Sequence, residues 1–441
     1  MTGQEFDSIL FRFRKDWSTV LLRGWSLGVR TLLVYFLLIQ FGPLGCGSEA
    51  PGNGEPPAPS VTFERRDSAG IEITTTSKEG KRVPVGWTVD SEPDLVIGAG
   101  DDPSTLLYRV RGLQGLSQDR ILVVNGGSRE LLFFDREGHL EARVGGRGEG
   151  PGEFEDPVLV PQAERDSLLL WDRDLLRFQL FSARGESPRT IRPSAWPRGA
   201  GSFPPVGTLD RQMLIMTRGV WTGDFAQSGG AKKEPRRFLW LDPGTGAEAA
   251  VTSFEIERVF IWERRGQRGA MDLIPFSPEP TGTVWEGGGL ISDGRTCEIR
   301  EYDLEGRPTR TFRVDGPGRS VTDQVIDAYI EMKVTGSGRS RSSLKELYAD
   351  MPIPETLPCF RSLEIDERGW LWVQVFEWDP SRPVPWVVFD PSGRALGTVE
   401  MPPGLTVHWI GEDHVLGVWT DELGVEQVRR HRLRKDDSQL E

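Results

Sequence analysis

VGGRGEGPGEFEDP, Val144–Pro157, decides how this chain is read. An apolar run, LLFFD (Leu131–Asp135), and a turn, Arg136-Glu137-Gly138, come before it, and a further apolar segment follows. Glycines at 145, 146, 148, 150 and 152 rule out a helix over so short a span, since glycine resists ordering and favours left-handed backbone. The stretch reads as the end of one strand, a wide loop, and return into the next strand at Pro157. Two repeats of a β-architecture meet here.

Working outward, one pattern recurs: an apolar strand ending in Asp, a turn ending in Gly, then another strand. Its copies are FFDREG (Phe133–Gly138), LFSARG (Leu180–Gly185), WLDPGTG (Trp240–Gly246), EYDLEG (Glu301–Gly306) and VFDPSG (Val388–Gly393). Ser182 replaces Asp in the second. Asp at the first turn position accepts backbone N–H bonds and Gly supplies positive φ, so each copy is a hairpin connection. Runs such as Asp119–Gly127, Asp166–Asp174, Asp210–Gly219 and Glu367–Glu377 precede most copies and suit strands covered on both faces. Four antiparallel strands per repeat of roughly 45–60 residues make the blade of a β-propeller.

Five blades start near Tyr108, Pro157, Pro204, Gly282 and Phe360, and a sixth near Leu405. The sixth has no fourth strand of its own. Asp94–Gly100 (DLVIGAG) is the spare strand that closes it, which removes both sheet edges. Gly70–Ser77 (GIEITTTS) is an additional edge strand. The expected fold is an all-β, six-bladed propeller over 61–436, with 437–441 as a tail. Two segments of helical spacing, Val321–Val334 and Ser340–Met351, form an insertion (321–351) between blades four and five. Thr322 is its N-cap, and Val325, Ile326, Tyr329 and Met332 form a stripe docked on the propeller.

The N-terminus reads as an export signal. Arg12, Arg14, Lys15, Arg23 and Arg30 precede Thr31–Phe41, an apolar run too short to span a membrane. The Leu44-Gly45-Cys46 ending resembles the lipobox of bacterial lipoproteins, which implies acylation of Cys46. Pro43 departs from that pattern, and the charged region is long. The alternatives are an uncleaved anchor, with Leu27 and Val29 extending the run, or ordinary secretion. All three place the rest outside the cytoplasm, as a membrane-anchored envelope lipoprotein on the first reading. Residues 1–46 form the signal, and Gly47–Ser60, rich in Gly, Pro, Ser and Glu, is a tether.

With 53 basic and 66 acidic residues the chain carries a net charge of −13, which speaks against a nucleic-acid partner. The 52 glycines and 32 prolines lack collagen's period and mark many turns. Three cysteines make no disulfide scaffold, but Cys297 and Cys359 are left after Cys46, either bridged across the helical insertion or free thiols.

Taken together, the chain resembles the six-bladed β-propeller proteins related to NHL repeats. It is most similar to those of bacterial envelope lipoproteins that share a DSAG opening, here Asp67–Gly70, and the joint Gly148–Phe154. The resemblance covers about Val61 to Arg434 and implies fold and compartment more than chemistry. Two propeller enzyme classes are tested against the residues. Amidating lyases need several histidines around zinc, and this chain has only His139 (at a turn), His408, His414 and His431 (in an outer strand). Gluconolactonase-like enzymes hold calcium through Glu, Asn and Asp, and only Asn53 and Asn125 occur, although acidic residues are plentiful. GRGEGPGEF lacks the Lys-Ser/Thr of a phosphate loop. No catalytic, cofactor or metal residue is assigned. The favoured function is a monomeric binding or scaffold module, with a protein or small-molecule ligand on one face or in the channel. The alternative is a metal-dependent enzyme of the lactonase or lyase sort.

Overall fold

The structure, a computed structural model, describes residues 61–78, 86–100, 105–162, 167–186, 188–201, 203–219, 229–262, 271–315 and 318–436. The signal segment with Cys46, the 47–60 tether and the 437–441 tail lie outside the described residues. Six sheets form the six blades of a β-propeller. Blade one runs through Val110–Gly115, Ile121–Asn125, Glu130–Phe134 and Leu140–Gly145. Blade two is Pro157–Val160, Ser167–Asp172, Arg177–Ser182 and Arg189–Ile191. Blade three has five strands, Gly207–Leu209, Gln212–Arg218, Gly230–Leu241, Glu248–Ile261 and Met271–Leu273.

Thr281–Trp285, Gly288–Ser292, Glu298–Tyr302 and Pro308–Asp315 build blade four, and Phe360–Ile365, Leu371–Val375, Val384–Phe389 and Ala395–Met401 build blade five. Blade six contributes Thr406–Ile410, His414–Thr420 and Glu426–Arg434. The first strands of successive blades touch one another around the ring, with blades two and three joined by a Gln162–Thr208 bridge.

Closure follows the expected route. Leu95–Ile97 is the fourth strand of blade six, antiparallel to Glu426–Arg434, with Ile97 opposite Val428. Arg430 also grips Asp94 at 2.9 Å. His431 therefore lies in the third strand of this blade, almost fully buried, and not in an outer strand: Leu95–Ile97 takes the outer place. Its ring Nδ1 lies 2.9 Å from the Asp90 carbonyl oxygen.

The Gly70–Ser77 segment is not itself the edge. Val61–Ser68 and Ile71–Lys78 form a hairpin, and the second strand lies parallel to the outer strand of blade four. Ala69 and Gly70 both have positive φ (56° and 80°), as a two-residue turn matched to strand twist requires. Thr74 and Thr76, on one face of their strand, are buried against blade five. Thr74 donates to the Gly393 carbonyl (3.2 Å) and Thr76 Oγ1 accepts from Ala395 N–H (3.2 Å).

The recurring turns behave as their residues dictate. Asp135 Oδ1 accepts from Glu137 N and His139 N, Asp303 from Glu305 N and Arg307 N, and Asp390 from Ser392 N and Arg394 N. Where Ser182 stands in for Asp, its hydroxyl accepts the same pair, Arg184 N and Glu186 N. Between the sheets lie layers of buried Leu, Val, Phe and Trp. One comprises Leu122, Val124, Leu131 and Phe133 of blade one with Leu168, Leu170 and Phe181 of blade two.

Helices Asp323–Ser337 and Arg341–Ala349 make the insertion, capped by the Thr322 and Ser340 hydroxyls. Val325, Tyr329 and Met332 pack with Phe276, Leu357 and Trp378, so that stripe is docked on the ring; Ile326 is not part of that cluster.

Candidate functional site

Antiparallel blades give the ring two unlike ends. Turns between first and second strands and between third and fourth strands crowd one end. The other end, the joint face, gathers the blade-to-blade joints, the second-to-third turns, the starts of the innermost strands and both helices.

The 146–156 joint lies on that face, and most of its own amides are taken up within the fold. Gly146 N donates to Arg129 O, Gly148 N to Phe154 O, and Phe154 N to Gly146 O. Gly150 N donates to Glu153 Oε2 (2.9 Å), Gly152 N to Gln179 Oε1 (2.6 Å), and Glu155 N and Asp156 N to the buried Asp172 carboxylate. Arg177, 2% exposed, donates to the carbonyls of Glu149, Gly150 and Glu153. These bonds tie the joint into blades one and two, so the joint is scaffold. Phe154 is 0% exposed and fills the layer between blades one and two. Gly145, Gly146, Gly148 and Gly152 take positive φ, whereas Gly150 does not.

The residues weighed for enzyme chemistry are scattered. Asn125 is a clip at the end of blade one's second strand, accepting Tyr108 N–H and donating to the Leu106 carbonyl. His139 is exposed in its turn, beside Asp135. His414 sits next to Asp413 at 2.6 Å. His408 lies on the innermost strand of blade six, and burial pushes it down to about 4. Glu364, on the innermost strand of blade five, is pushed up to about 8 by burial. Among the described residues no three His, Cys, Asp or Glu converge as a metal site needs. The sulfurs of Cys297 and Cys359 are joined, with Cα atoms 5.3 Å apart, across the foot of the helical insertion.

What the joint face does bring together is arginine. Arg109, Arg111 and Arg173 surround Asp156, which is mostly buried, at 3.7, 3.7 and 3.3 Å. A second group surrounds Glu279, in the joint leading into blade four. Arg258 Nη1 is 2.7 Å from its Oε2, and Arg218 and Arg236 are 3.5 and 3.7 Å from its Oε1. Arg218 and Arg236 are cross-strand partners in blade three. Arg258 occupies a bulge between Glu257 and Val259 of the next strand, and bulges re-aim side chains. Arg361, on a bulge in blade five's innermost strand, feels the charge of the same carboxylate. Burial, opposed by Glu279 and reinforced by the neighbouring guanidiniums, lowers Arg218 to about 10.

Sequence reasoning missed this second group because its members come from four separate strands and a joint. One local signal existed: the second strand of blade three ends in Arg218, where blades one and two end in the turn-forming Asn125 and Asp172.

Compared with protein-family models and with curated proteins, the sequence finds no match. Among solved structures the chain is similar to a member of the DUF4221 family from Bacteroides vulgatus (10% identity, TM-score 0.45, 79% of this chain and 99% of that one). It is also similar to virginiamycin B lyase from Staphylococcus aureus (8%, 0.35, 79% and 99%) and to regucalcin, a calcium-binding protein, from Agrobacterium tumefaciens (10%, 0.34, 79% and 96%). The propeller architecture itself rests on the order of strands in the six sheets.

Proposed function

We propose that the chain is an extracytoplasmic, lipid-anchored propeller that works as a monomeric, non-catalytic binding module. It takes a small-molecule or protein ligand on its joint face and has no nucleic-acid partner. The observation that carries this reading is the composition of that face: guanidiniums gather around the single carboxylates Asp156 and Glu279. Such a face offers hydrogen-bond donors to a ligand, whereas a metal-dependent hydrolase needs converging carboxylates or imidazoles. Residues 31–46 support export and acylation at Cys46 by their order of charge, apolar run and Leu-Gly-Cys.

Two measurements test it. Cys46→Ser should release the chain from the membrane fraction and abolish labelling by a fatty-acid analogue. A mutant that stays membrane-bound at unchanged mass makes the N-terminus an uncleaved anchor. The purified full chain should carry less than one equivalent of calcium or zinc, and chelation should leave its melting temperature unchanged. A stoichiometric metal whose removal lowers that temperature replaces the binding module with the propeller-enzyme alternative. The alternative has one observation in its favour: Glu364 and His408, both shifted by burial, lie on neighbouring innermost strands.

A further inference from the structure

We propose that the Arg218, Arg236, Arg258 and Arg361 cluster is a binding site for a doubly charged oxyanion, a phosphate monoester group carried by the ligand. The inference rests on the binding-module reading above and names the ligand chemistry of its joint face.

Several guanidinium N–H groups of the cluster are unmet. Arg236 is 1% exposed. Its Nη2 donates to Glu234 Oε2 at 2.7 Å, but its Nε and Nη1 have no hydrogen-bond partner. The Nε of Arg218 is likewise buried without one. A buried guanidinium with idle N–H groups is costly, and the cost falls when an anion accepts them. Phe203 covers one face of the Arg218 guanidinium at 4.2 Å, so the planar fork is held and its edge is left for an acceptor.

Charge points the same way. Among the described residues, the three guanidiniums in contact with Glu279, together with Arg361, face two carboxylates, Glu234 and Glu279, an excess of two positive charges. Glu279 makes a short contact only with Arg258 and lies beyond hydrogen-bond distance from Arg236. It is partly exposed (34%), and a partly exposed carboxylate can yield its place to a ligand. Arg218 and Arg236 stand opposite each other on paired strands, a like-charge pairing offset by a single Glu279 oxygen at 3.5 and 3.7 Å. A carboxylate or a sulfate ester on a ligand would meet one charge, while a phosphate monoester dianion meets both. The helical insertion reaches the same joint: Phe276, three residues before Glu279, packs on Tyr329 with ring centroids 4.8 Å apart. The site therefore has a wall on the insertion side.

The test is calorimetric titration of the detergent-solubilised full chain with inorganic phosphate, inorganic sulfate and acetate, at ionic strength held by chloride. Saturable one-to-one binding of phosphate or sulfate, with acetate weaker, is expected. Arg218→Gln and Arg258→Gln should each weaken it about tenfold or more, the value of a charge-assisted hydrogen bond. Glu279→Gln should tighten it about tenfold, because it removes the competing carboxylate. Melting curves check that each variant folds. If the arginine variants of blade three do not fold, Arg361→Gln, on the exposed side of the cluster, should still weaken binding severalfold.

Titration with phosphatidic acid in the same micelles separates the sources. Tighter binding than inorganic phosphate identifies a lipid headgroup, and weaker binding a soluble ligand. No saturable binding of either dianion, or equal binding by wild type and Arg218→Gln, overturns the proposal. That failure with metal-free protein leaves the binding-module reading standing, whereas a stoichiometric catalytic metal removes that reading whatever the anion titration gives.

Discussion

Phe154 shows how one side chain sets the spacing of two blades. Its ring lies between Leu122 and Phe133 on one side and Leu168 and Phe181 on the other. Phe154→Ala should therefore cost about 3–5 kcal/mol in chemical denaturation, the range for a fully buried aromatic. The glycines around it are not equivalent. Gly150 has no positive φ, and an added Cβ there would meet only the Glu153 side chain, its carboxylate oxygen at 3.0 Å, so Gly150→Ala should be far milder than the change at a positive-φ glycine. Gly185 has φ 77°, and its Cβ would lie 2.7 Å from the Phe133 ring, so Gly185→Ala should be clearly destabilising in the same assay. Glu364 gives a prediction of a different kind. Burial lifts its folded pKa to about 8, well above the ordinary glutamate value, so the folded state holds the proton more tightly. The resulting stability is fully present at low pH and is lost as pH rises through that window. Glu364→Gln should flatten the fall in urea midpoint between pH 5 and pH 9, and leave the variant the more stable protein at the upper end. A wild-type midpoint that does not fall over this range would show that Glu364 is ionised in the folded state.

At the scale of elements, the structure rewards short-range rules and hides long-range ones. Each Asp-x-x-Gly turn could be placed because Asp accepts from amides two and four residues on, a local event that the sequence spells out. The helical insertion could be placed through Thr322 and its apolar stripe. What the threonines of Ile71–Lys78 do was not legible. Thr74 and Thr76 bond to Gly393 and Ala395, 319 residues away in both cases, and nothing near either partner announces the meeting. The arginine cluster was hidden for the same reason. The Cys297–Cys359 bridge spans 62 residues and ties the start of blade four's third strand to the start of blade five. Its removal by Cys297→Ser with Cys359→Ser should cost about 2–4 kcal/mol, chiefly through the freedom returned to the unfolded chain. Equal stability of wild type with and without reductant would show that the bridge is not formed in the native protein.

For the whole molecule, the ring depends on a three-residue strand. Leu95–Ile97 continues the sheet of blade six outside Val428, beside Thr88–Val89 at Leu433 and Arg434, and Ile97 is 3% exposed beneath it. Ile97→Ala should cost about 2–5 kcal/mol, as for other buried aliphatic truncations, and should broaden the unfolding transition if blade six opens before the rest. A sharp transition at the wild-type midpoint would mean the ring holds without that strand. Blade count and closure were legible because a propeller needs its edges sealed and the chain offered one spare strand. The fifth strand of blade three and the hairpin on blade four were not, since a sheet tolerates extra outer strands without any change in its inner pattern.

The hairpin on blade four also sets where the N-terminal segment leaves the ring. Its second strand runs parallel to Pro308–Asp315, whose far end reaches the joint face, and its first strand runs back the opposite way. Val61 thus leaves the rim of the ring at the joint-face end. Fourteen residues separate it from Cys46, a leash of at most about 50 Å. If Cys46 is acylated as proposed, the ring hangs from its rim with the arginine-bearing end nearest the lipid. Its other end, crowded with Asp-capped turns, then faces away from the bilayer.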